Sequence, residues 1–212
     1  MLALTADTSD QKLVFVISEN QEVRNVYVHD GQRDHCKNII IFLDQILAQE
    51  SLSLAQFDAF GCIVGPGSFT GLRIGMIAMK TFCHIMQKPL LGVTTFERMV
   101  QDDHDQDAVY MWPAQRGCGY VCHQPLKNPT YEFVRFADFP NLDTMASKTC
   151  YVPEGFEVPG ISTTCLPFRD ICGKSLAQSV YDHFSSQQFL DVCLASPLYV
   201  QDISAKKLNT GP

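Results

Sequence analysis

A glycine-rich segment stands where a short apolar stretch gives way to a long amphipathic one. It reads Gly65-Pro66-Gly67-Ser68-Phe69-Thr70-Gly71-Leu72-Arg73-Ile74-Gly75. Such a turn between a strand and a helix can direct several backbone N–H groups at one point, and these groups bind anions such as phosphate. Phosphate binding is therefore the first chemistry to test against the spacing.

The spacing excludes two known motifs. A P-loop requires G-x-x-x-x-G-K-[ST], but Gly65 and Gly71 are one residue too far apart and Leu72 occupies the lysine position. A nucleophile elbow, G-x-S-x-G around Ser68, fails because its two glycine positions hold other residues. The residues themselves support a tight turn, with Ser68 or Thr70 capping the helix that follows.

The sequence also lacks histidine and cysteine pairs at the spacings typical of metal sites. The six histidines, at positions 29, 35, 84, 104, 123 and 183, include no pair four residues apart, and the nine cysteines include no C-x-x-C pair. The nearest approach to a cluster is Cys118, Cys122 and His123. That stretch has the pattern of a strand, so we interpret these side chains as packing residues.

The elements that position the glycine segment follow from periodicity. Apolar strands are predicted over 2–6, 12–17 and 23–28, joined by polar turns into an antiparallel meander. A helix is predicted over 35–50 with Asp34 capping its start, then a strand over 59–64, a helix over 70–87 and a strand over 90–93. Further strands are predicted over 108–112, 119–123 and 131–136, which together indicate an α/β protein.

The chain length allows two small lobes. The acidic loop 102–107 is the predicted boundary, which gives lobes of 1–101 and 102–212, with the last segment able to pack back on the first lobe. The longest apolar runs are far shorter than the roughly 18 to 20 residues that cross a bilayer, and the N-terminus lacks a signal-peptide pattern. We therefore expect a cytoplasmic protein.

The net charge of -7 and the pI of about 5.2 weigh against strong independent binding to a nucleic acid, because phosphate neutralisation supplies most non-specific affinity. The sequence leaves a local basic patch open, and the one short basic cluster, Lys206-Lys207, is too small to settle that question.

Both long helices carry more apolar side chains than one sheet contact requires. In the second helix one arc holds Leu72, Met76, Met79, Cys83 and Met86, and another holds Ile74, Ile77 and Ile85. An uncovered arc would approach the largest apolar patch that soluble monomers usually tolerate. Either a second layer of the same chain or another protein must cover it.

The glycine segment closely resembles the G-P-G-S-F-T-G-L-R-I-G signature of the TsaB family, also called YeaZ. Asp7-Thr8-Ser9 resembles the family's opening D-T-S, and His35 lies where the family carries a histidine at its first helix. The stretches 89–97 and 197–200 resemble P-L-x-G-V-S-S-L-E and P-x-Y-L-R. Residues 113–116 read P-A-Q-R where the family has D-A-R-R, so the role of that motif is in doubt.

The resemblance implies a two-lobed acetate-kinase, Hsp70 and actin-like fold, also described as ribonuclease-H-like, with mixed sheets. It implies an accessory subunit, without catalytic residues, that binds and activates the catalytic TsaD paralogue in threonylcarbamoylation of the adenosine beside the anticodon. It further implies that a TsaE-type ATPase joins the complex and that the chain can also form a homodimer. The chain is expected to contact tRNA only through the complex and to bind no membrane. The partner interface is expected on the two long helices, through His35, Ile39, Leu43, Leu72, Met76, Met79, Lys80 and Cys83.

Phosphate-binding members of this fold have glycine in the turn after the first strand. Here the turn, Asp7-Thr8-Ser9, has none and is followed by a second carboxylate at Asp10, which disfavours bound phosphate. We expect a degenerate phosphate turn and no cofactor, with weak ATP or ADP contact at a subunit interface as the minority alternative. The alternative function is a small phosphotransferase or glycoprotease-like enzyme of the same fold, using Asp7, Thr8 and Ser68.

Overall fold

The computed structural model describes residues 1–30, 34–100, 108–123, 125–126, 129–136, 149–158, 165–168 and 173–198. By its internal contacts the chain divides into two units. The first unit comprises Met1–Arg98 with Asp170–Leu198, and the second comprises Met99–Arg169 with Tyr199–Pro212. Residues 173–198, which we assigned from sequence to the 102–212 lobe, thus group with the first unit. The predicted boundary loop, 102–107, lies outside the described residues.

The first unit is built on a mixed five-stranded sheet. Its strands are β1 (Leu2–Asp7), β2 (Leu13–Glu19), β3 (Glu22–His29), β4 (Ala59–Gly65) and β5 (Leu90–Thr94). They are ordered β3-β2-β1-β4-β5, with β1, β2 and β3 antiparallel and β1, β4 and β5 parallel. The predicted meander and the two later strands are confirmed, because alternation and short apolar runs are strong signals for half-buried and buried strands.

Helices cover both faces of this sheet. The helices are α1 (His35–Glu50), α2 (Phe69–Met86), α3 (Thr95–Met99) and α4 (Lys174–Ser185), with a short 3₁₀ turn at Leu54–Gln56. Helices α1 and α2 pack side by side on the face that presents Leu4, Phe15 and Phe60. Helix α4 packs on the opposite face, where Leu176 and Val180 meet the alternate residues of the same strands.

One predicted detail of α1 is wrong. Asp34 stands at the N-cap position, but its side chain makes no cap hydrogen bond. Its backbone, at φ -101° and ψ 33°, is not in the extended region that an N-cap side chain needs to reach the second or third amide. The carboxylate instead pairs with Lys37 at 3.6 Å on the surface.

The second unit contains another mixed five-stranded sheet among its described residues. Its strands are β6 (Val109–Pro113), β7 (Cys118–His123), β8 (Thr130–Arg135), β9 (Cys150–Pro153) and β10 (Cys165–Phe168), in the order β10-β9-β6-β7-β8. The strands β6, β7 and β8 confirm the sequence prediction, whereas β9, β10 and α4 were not predicted. The two mixed sheets with helices confirm the α/β class. None of the helices in the described ranges is long and apolar enough to cross a membrane.

Candidate functional site

The turn after β1 is folded tightly on itself. Asp7, Thr8 and Ser9 are all buried, with Asp7 only 4% exposed. The Oδ1 atom of Asp7 accepts hydrogen bonds from the Ser9 amide at 2.9 Å and from the Ser9 hydroxyl at 2.6 Å. This is the local side-chain-to-backbone turn that Asp favours, and it uses one carboxylate oxygen entirely within the turn.

The glycine segment lies directly against this turn. An added Cβ would fall 2.7 Å from the Ser9 carbonyl oxygen at Gly67 and 2.0 Å from the Thr8 carbonyl oxygen at Gly71. At Gly75 it would fall 2.3 Å from the Thr8 hydroxyl. These three glycines therefore serve close approach between α2 and the turn.

Hydrogen bonds complete the contact between the two segments. The Ser68 amide donates to the Ser9 carbonyl oxygen at 2.7 Å, and the Thr8 hydroxyl donates to the Gly71 carbonyl oxygen at 2.7 Å. Ser68 is the N-cap residue of α2, since its Oγ accepts from the Gly71 amide at 3.2 Å. This confirms the predicted cap at Ser68; Thr70, the alternative, is an exposed residue within the first turn.

Gly65 and Pro66 occupy the start of the segment and meet other elements. Gly65 ends β4 at φ +124° and is joined to Pro66 by a cis peptide bond. A Cβ at Gly65 would fall 3.3 Å from the Leu198 carbonyl oxygen, so the C-terminal stretch lies against this turn. The Leu198 amide also donates to the Val64 carbonyl oxygen at 2.7 Å. The rest of the 197–200 motif, residues 199–200, lies outside the described residues.

Helix α3 contributes three side chains that sequence reasoning did not single out for the site. Thr95 donates to the Pro66 carbonyl oxygen, and Arg98 donates to the Oδ2 atom of Asp7. Glu97 accepts from the Thr94 amide at 2.6 Å, while the Glu97 amide donates to the Thr94 hydroxyl at 3.0 Å, which forms a capping box. The Thr94-x-x-Glu97 spacing could have predicted that cap, but nothing in the sequence pairs Arg98 with Asp7.

Glu97 also forms an ion pair with α4. Its Oε1 atom lies 2.9 Å from the His183 Nε2 atom, and both side chains are largely buried. The hydrogen bond to Glu97 raises the pKa of His183 above its ordinary value, and this outweighs the lowering by burial. The Gly92 backbone and the Asp182 carboxylate act in the same direction as Glu97.

The predicted partner interface is corrected by the structure. Met79 is 0% exposed, and the other apolar members of the predicted set are also buried. Ile39, Leu43, Met76, Met79 and Cys83 belong to the buried cluster that α1 and α2 form with the sheet. Leu72 belongs to a second buried cluster, with Ile63, Leu91 and Val93 of β4 and β5. Both clusters are part of the core of the first unit. The buried residues that cannot form a free surface are His35, Ile39, Leu43, Leu72, Met76, Met79 and Cys83.

Of the other predicted arc, Ile77 and Ile85 face solvent, whereas Ile74 is partly buried against the core. On α2, Ile77 is 65% exposed, and Phe69 and Ile85 are also exposed along the same stripe; on α1, Ile40 and Ile41 are exposed. Arg73 lies in that stripe with its guanidinium 3.8 Å above the Phe69 ring. We call the five exposed residues Ile40, Ile41, Phe69, Ile77 and Ile85 the outer face.

Two polar members of the predicted interface have internal contacts instead. His35 places its Nε2 atom 2.9 Å from the Asp10 carbonyl oxygen, next to the β1 turn. The Lys80 ammonium donates to the carbonyl oxygens of Cys193 and Ala195, at 3.2 Å and 2.9 Å, and so holds the C-terminal stretch against α2.

The remaining sequence candidates lie apart from this site. Residues 113–116 end β6 and begin its hairpin with β7, where the Ala114 amide donates to the Cys118 carbonyl oxygen at 2.9 Å. Among the described residues no three His, Cys, Asp or Glu side chains come together as a metal site. Burial raises the pKa values of Cys62 and Cys83 to about 12, which fits packing residues rather than reactive thiols. The Lys206-Lys207 cluster lies outside the described residues.

The fold and the site together define an α/β protein of the actin-like class in which the turn after β1 is closed by the chain's own residues. The predicted fold class is confirmed by a likeness to solved structures. A Pseudomonas aeruginosa protein described as similar to peptidase YeaZ matches with a TM-score of 0.72 and 15% identity, over 94% of this chain and 99% of that one.

A sequence comparison identifies the family. The chain belongs to the family described as TsaD, tRNA N6-adenosine threonylcarbamoyltransferase, whose model matches residues 21–127, half of the chain. The matched region contains α1, the glycine segment, α2 and α3, and so most of the site described above.

Individual relatives cover shorter stretches. A tRNA N6-adenosine threonylcarbamoyltransferase of Persephonella marina is 36% identical over 81 residues, which is 38% of this chain and 24% of that protein. The tRNA threonylcarbamoyladenosine biosynthesis protein TsaB of Haemophilus influenzae is 37% identical over 71 residues, 34% of this chain and 30% of that protein. The matches thus span under a third of these relatives' lengths.

Proposed function

We propose that the chain is an accessory subunit for threonylcarbamoylation of the adenosine adjacent to the anticodon in tRNA. In this role it binds and activates a TsaD-type catalytic subunit and supplies no catalytic side chains. The sequence similarity to the Haemophilus influenzae TsaB protein and the membership of the TsaD family support this assignment.

The observation that carries the proposal is the outer face. Its five large apolar side chains are each more than half exposed, and they lie on two helices that pack side by side. Contiguous apolar patches larger than a few hundred Å² are rare on soluble monomers and mark interaction sites. A partner that covers both helices could bury the roughly 800 Å² per side of a standard interface.

The β1 turn supports an accessory rather than a catalytic role. A bound nucleotide would need amides or a carboxylate oxygen at the turn, but the Asp7 oxygens bind Ser9 and Arg98. The glycine segment fills the space beside the turn, since a single added carbon at Gly71 would meet the Thr8 carbonyl oxygen. The residues at this turn therefore do not fit a phosphate and its metal ion.

The net charge of the chain and its outer face also bear on how the chain would contact tRNA and other subunits. With a net charge of -7, the chain is expected to approach tRNA only as part of the complex. A TsaE-type ATPase is the further expected member. A second copy of this chain would cover the same outer face, so the homodimer and the complex with the catalytic subunit are expected to exclude each other.

The test is a charge placed on the outer face. Ile77→Glu should weaken binding to the catalytic subunit of the same source by about 2 kcal/mol or more, the loss typical of a central interface residue. Val28→Glu is the matched control, because Val28 is also an exposed apolar residue but lies on β3. Both variants should unfold at nearly the wild-type temperature, since neither side chain is in the core.

Affinity is measured by titration calorimetry, and the oligomeric state of the free chain by sedimentation. For the functional readout, cells are depleted of the wild-type chain and supplied with each variant, and the threonylcarbamoyladenosine content of their tRNA is measured. Equal binding by Ile77→Glu and wild type would refute the outer face as the interface. Full modification of tRNA in the depleted cells would refute the accessory role itself.

A further inference from the structure

The ion pair between Arg98 and Asp7 joins two parts of the first unit that are far apart in sequence. Arg98 belongs to α3 and Asp7 ends β1, and their side chains are 13% and 5% exposed. A carboxylate this deeply buried is strongly destabilising when its charge has no partner. Arg98 therefore provides the positive charge that pairs with the Asp7 carboxylate and fixes it inside the fold.

Asp7 passes this constraint to α2 through Ser9. The Oδ1 atom of Asp7, which does not contact Arg98 in that ion pair, accepts hydrogen bonds from both the amide and the hydroxyl of Ser9. The Ser9 carbonyl oxygen then accepts from the Ser68 amide at 2.7 Å. Ser68 begins α2, because its side chain accepts from the Gly71 amide and its carbonyl oxygen accepts from the Leu72 amide at 2.8 Å.

The outer face starts at this end of α2. Phe69 is the first residue of the helix, it is 56% exposed, and it stacks with Arg73 one turn later. A shift of the first turn would move this pair relative to Ile77. Interfaces depend on such placement, because misplaced contacts lose affinity even when the residues are retained.

We propose that Arg98 is a positioning residue for the partner surface: it holds Asp7, and through Ser9 and Ser68 it fixes the start of the helix that presents the outer face. The inference rests on the proposed function, since it assigns Arg98 a role in binding the catalytic subunit. In this proposal the turn after β1 positions α2 and does not bind a ligand.

Helix α3 supplies its own control. The Glu97–His183 pair ties the same helix to α4, but neither residue touches the β1 turn or the glycine segment in any of the contacts above. His183→Gln therefore loosens α3 without releasing Asp7, whereas Arg98→Met releases Asp7. A role in general stability predicts similar effects of the two changes; the positioning role predicts different ones.

The experiment measures binding of Arg98→Met, Arg98→Lys and His183→Gln to the threonylcarbamoyltransferase subunit, at temperatures where each variant is folded. Hydrogen exchange of the Ser68, Gly71 and Leu72 amides is measured beside the later amides of Phe82 and Cys83. Arg98→Met should bind about tenfold more weakly than His183→Gln, the loss expected of one well-placed contact. The Ser68, Gly71 and Leu72 amides should exchange faster in that variant alone, and Arg98→Lys should recover part of both losses.

The inference is overturned if Arg98→Met binds as well as His183→Gln, or if fast exchange spreads evenly along α2. If Arg98→Met does not fold, the double variant Asp7→Asn/Arg98→Met replaces it in the experiment, because it also removes the unpaired Asp7 charge. The double variant is expected to show the same weaker binding and the same faster exchange of the first α2 amides. Weak binding by Ile77→Glu together with normal binding by the Arg98 variants refutes the positioning role and leaves the proposed function standing. Normal binding by Ile77→Glu refutes the outer face, whatever the Arg98 variants do.

Discussion

The Ser68 amide lies 2.7 Å from the Ser9 carbonyl oxygen, so the residue that begins α2 is bound directly to the residue that ends the β1 turn. The glycine segment, whose position between a strand and a helix could have bound an anion, is thereby hydrogen-bonded to the β1 turn instead. The Thr8 hydroxyl adds a second link by donating to the Gly71 carbonyl oxygen. The glycine segment therefore acts as a packing surface for the turn, which explains why its spacing matches no phosphate-binding motif.

This packing makes a prediction that opposes helix propensity. Gly71 and Gly75 lie within α2, where replacing Gly by Ala ordinarily stabilises by about 1 kcal/mol. Here both changes should destabilise instead, by roughly 1–3 kcal/mol, because the new Cβ overlaps Thr8 atoms in a well-packed core. Urea unfolding of each variant measures the free energy directly.

The change Thr8→Ala distinguishes the effect of Gly71→Ala from that of Gly75→Ala. At Gly75 the overlap is with the Thr8 hydroxyl, and the Thr8 Cβ itself would be 3.4 Å away, an ordinary contact; at Gly71 it is with the Thr8 backbone carbonyl. In a double-mutant cycle, Thr8→Ala should therefore relieve much of the cost of Gly75→Ala and none of that of Gly71→Ala. Equal relief at both positions would contradict the contact geometry.

Much of this fold follows from the sequence of the first hundred residues. The meander and the two long helices were predicted within one or two residues of their ends, because strand alternation and helical periodicity act over short windows. Strands β9 and β10 were missed because each has only four residues and lies in a stretch broken by Pro and Gly. Helix α4 was missed with them, although its apolar residues Leu176, Ala177 and Val180 recur at helical spacing, because it directly follows that broken stretch.

The site was less predictable, and two residues show why. Ile77 and Met79 lie two positions apart in a helix that is apolar on two arcs, and periodicity cannot say which arc meets the sheet. Only the positions of β1, β4 and α1 place Met79 inside and Ile77 outside. Arg98 and Asp7 are separated by 91 residues, so their pairing depends on the completed fold.

Met79→Glu tests the corrected assignment of the two arcs. Met79 is 0% exposed in the core shared by α1, α2 and the sheet, so a carboxylate there would be buried without a partner. The expected loss of several kcal/mol is comparable to the whole stability of a small domain, and the variant should be largely unfolded by circular dichroism. Ile77→Glu, two residues earlier, should keep the wild-type spectrum; a folded monomeric Met79→Glu would mean that this arc faces outward after all.

The His183–Glu97 pair predicts how stability depends on pH. Because the folded-state pKa of His183 is raised above its ordinary value of 6.5, the folded state binds the proton more tightly than the unfolded chain does. The stabilisation is therefore fully present below pH 6.5 and is lost as the pH rises through the higher folded-state pKa. Asp182 and the Gly92 backbone favour the charged form as well, while burial opposes it.

The measurement compares urea unfolding of the wild type with that of His183→Gln at a series of pH values on both sides of neutrality. The wild type should exceed the variant most at acidic pH, and the difference should shrink as the pH rises, because Gln cannot gain the proton. Glu97→Gln should show the same flattened profile, since it keeps an acceptor for the Thr94 amide but removes the charge facing His183. A difference that grows with pH would mean that burial, rather than Glu97, dominates the titration of His183.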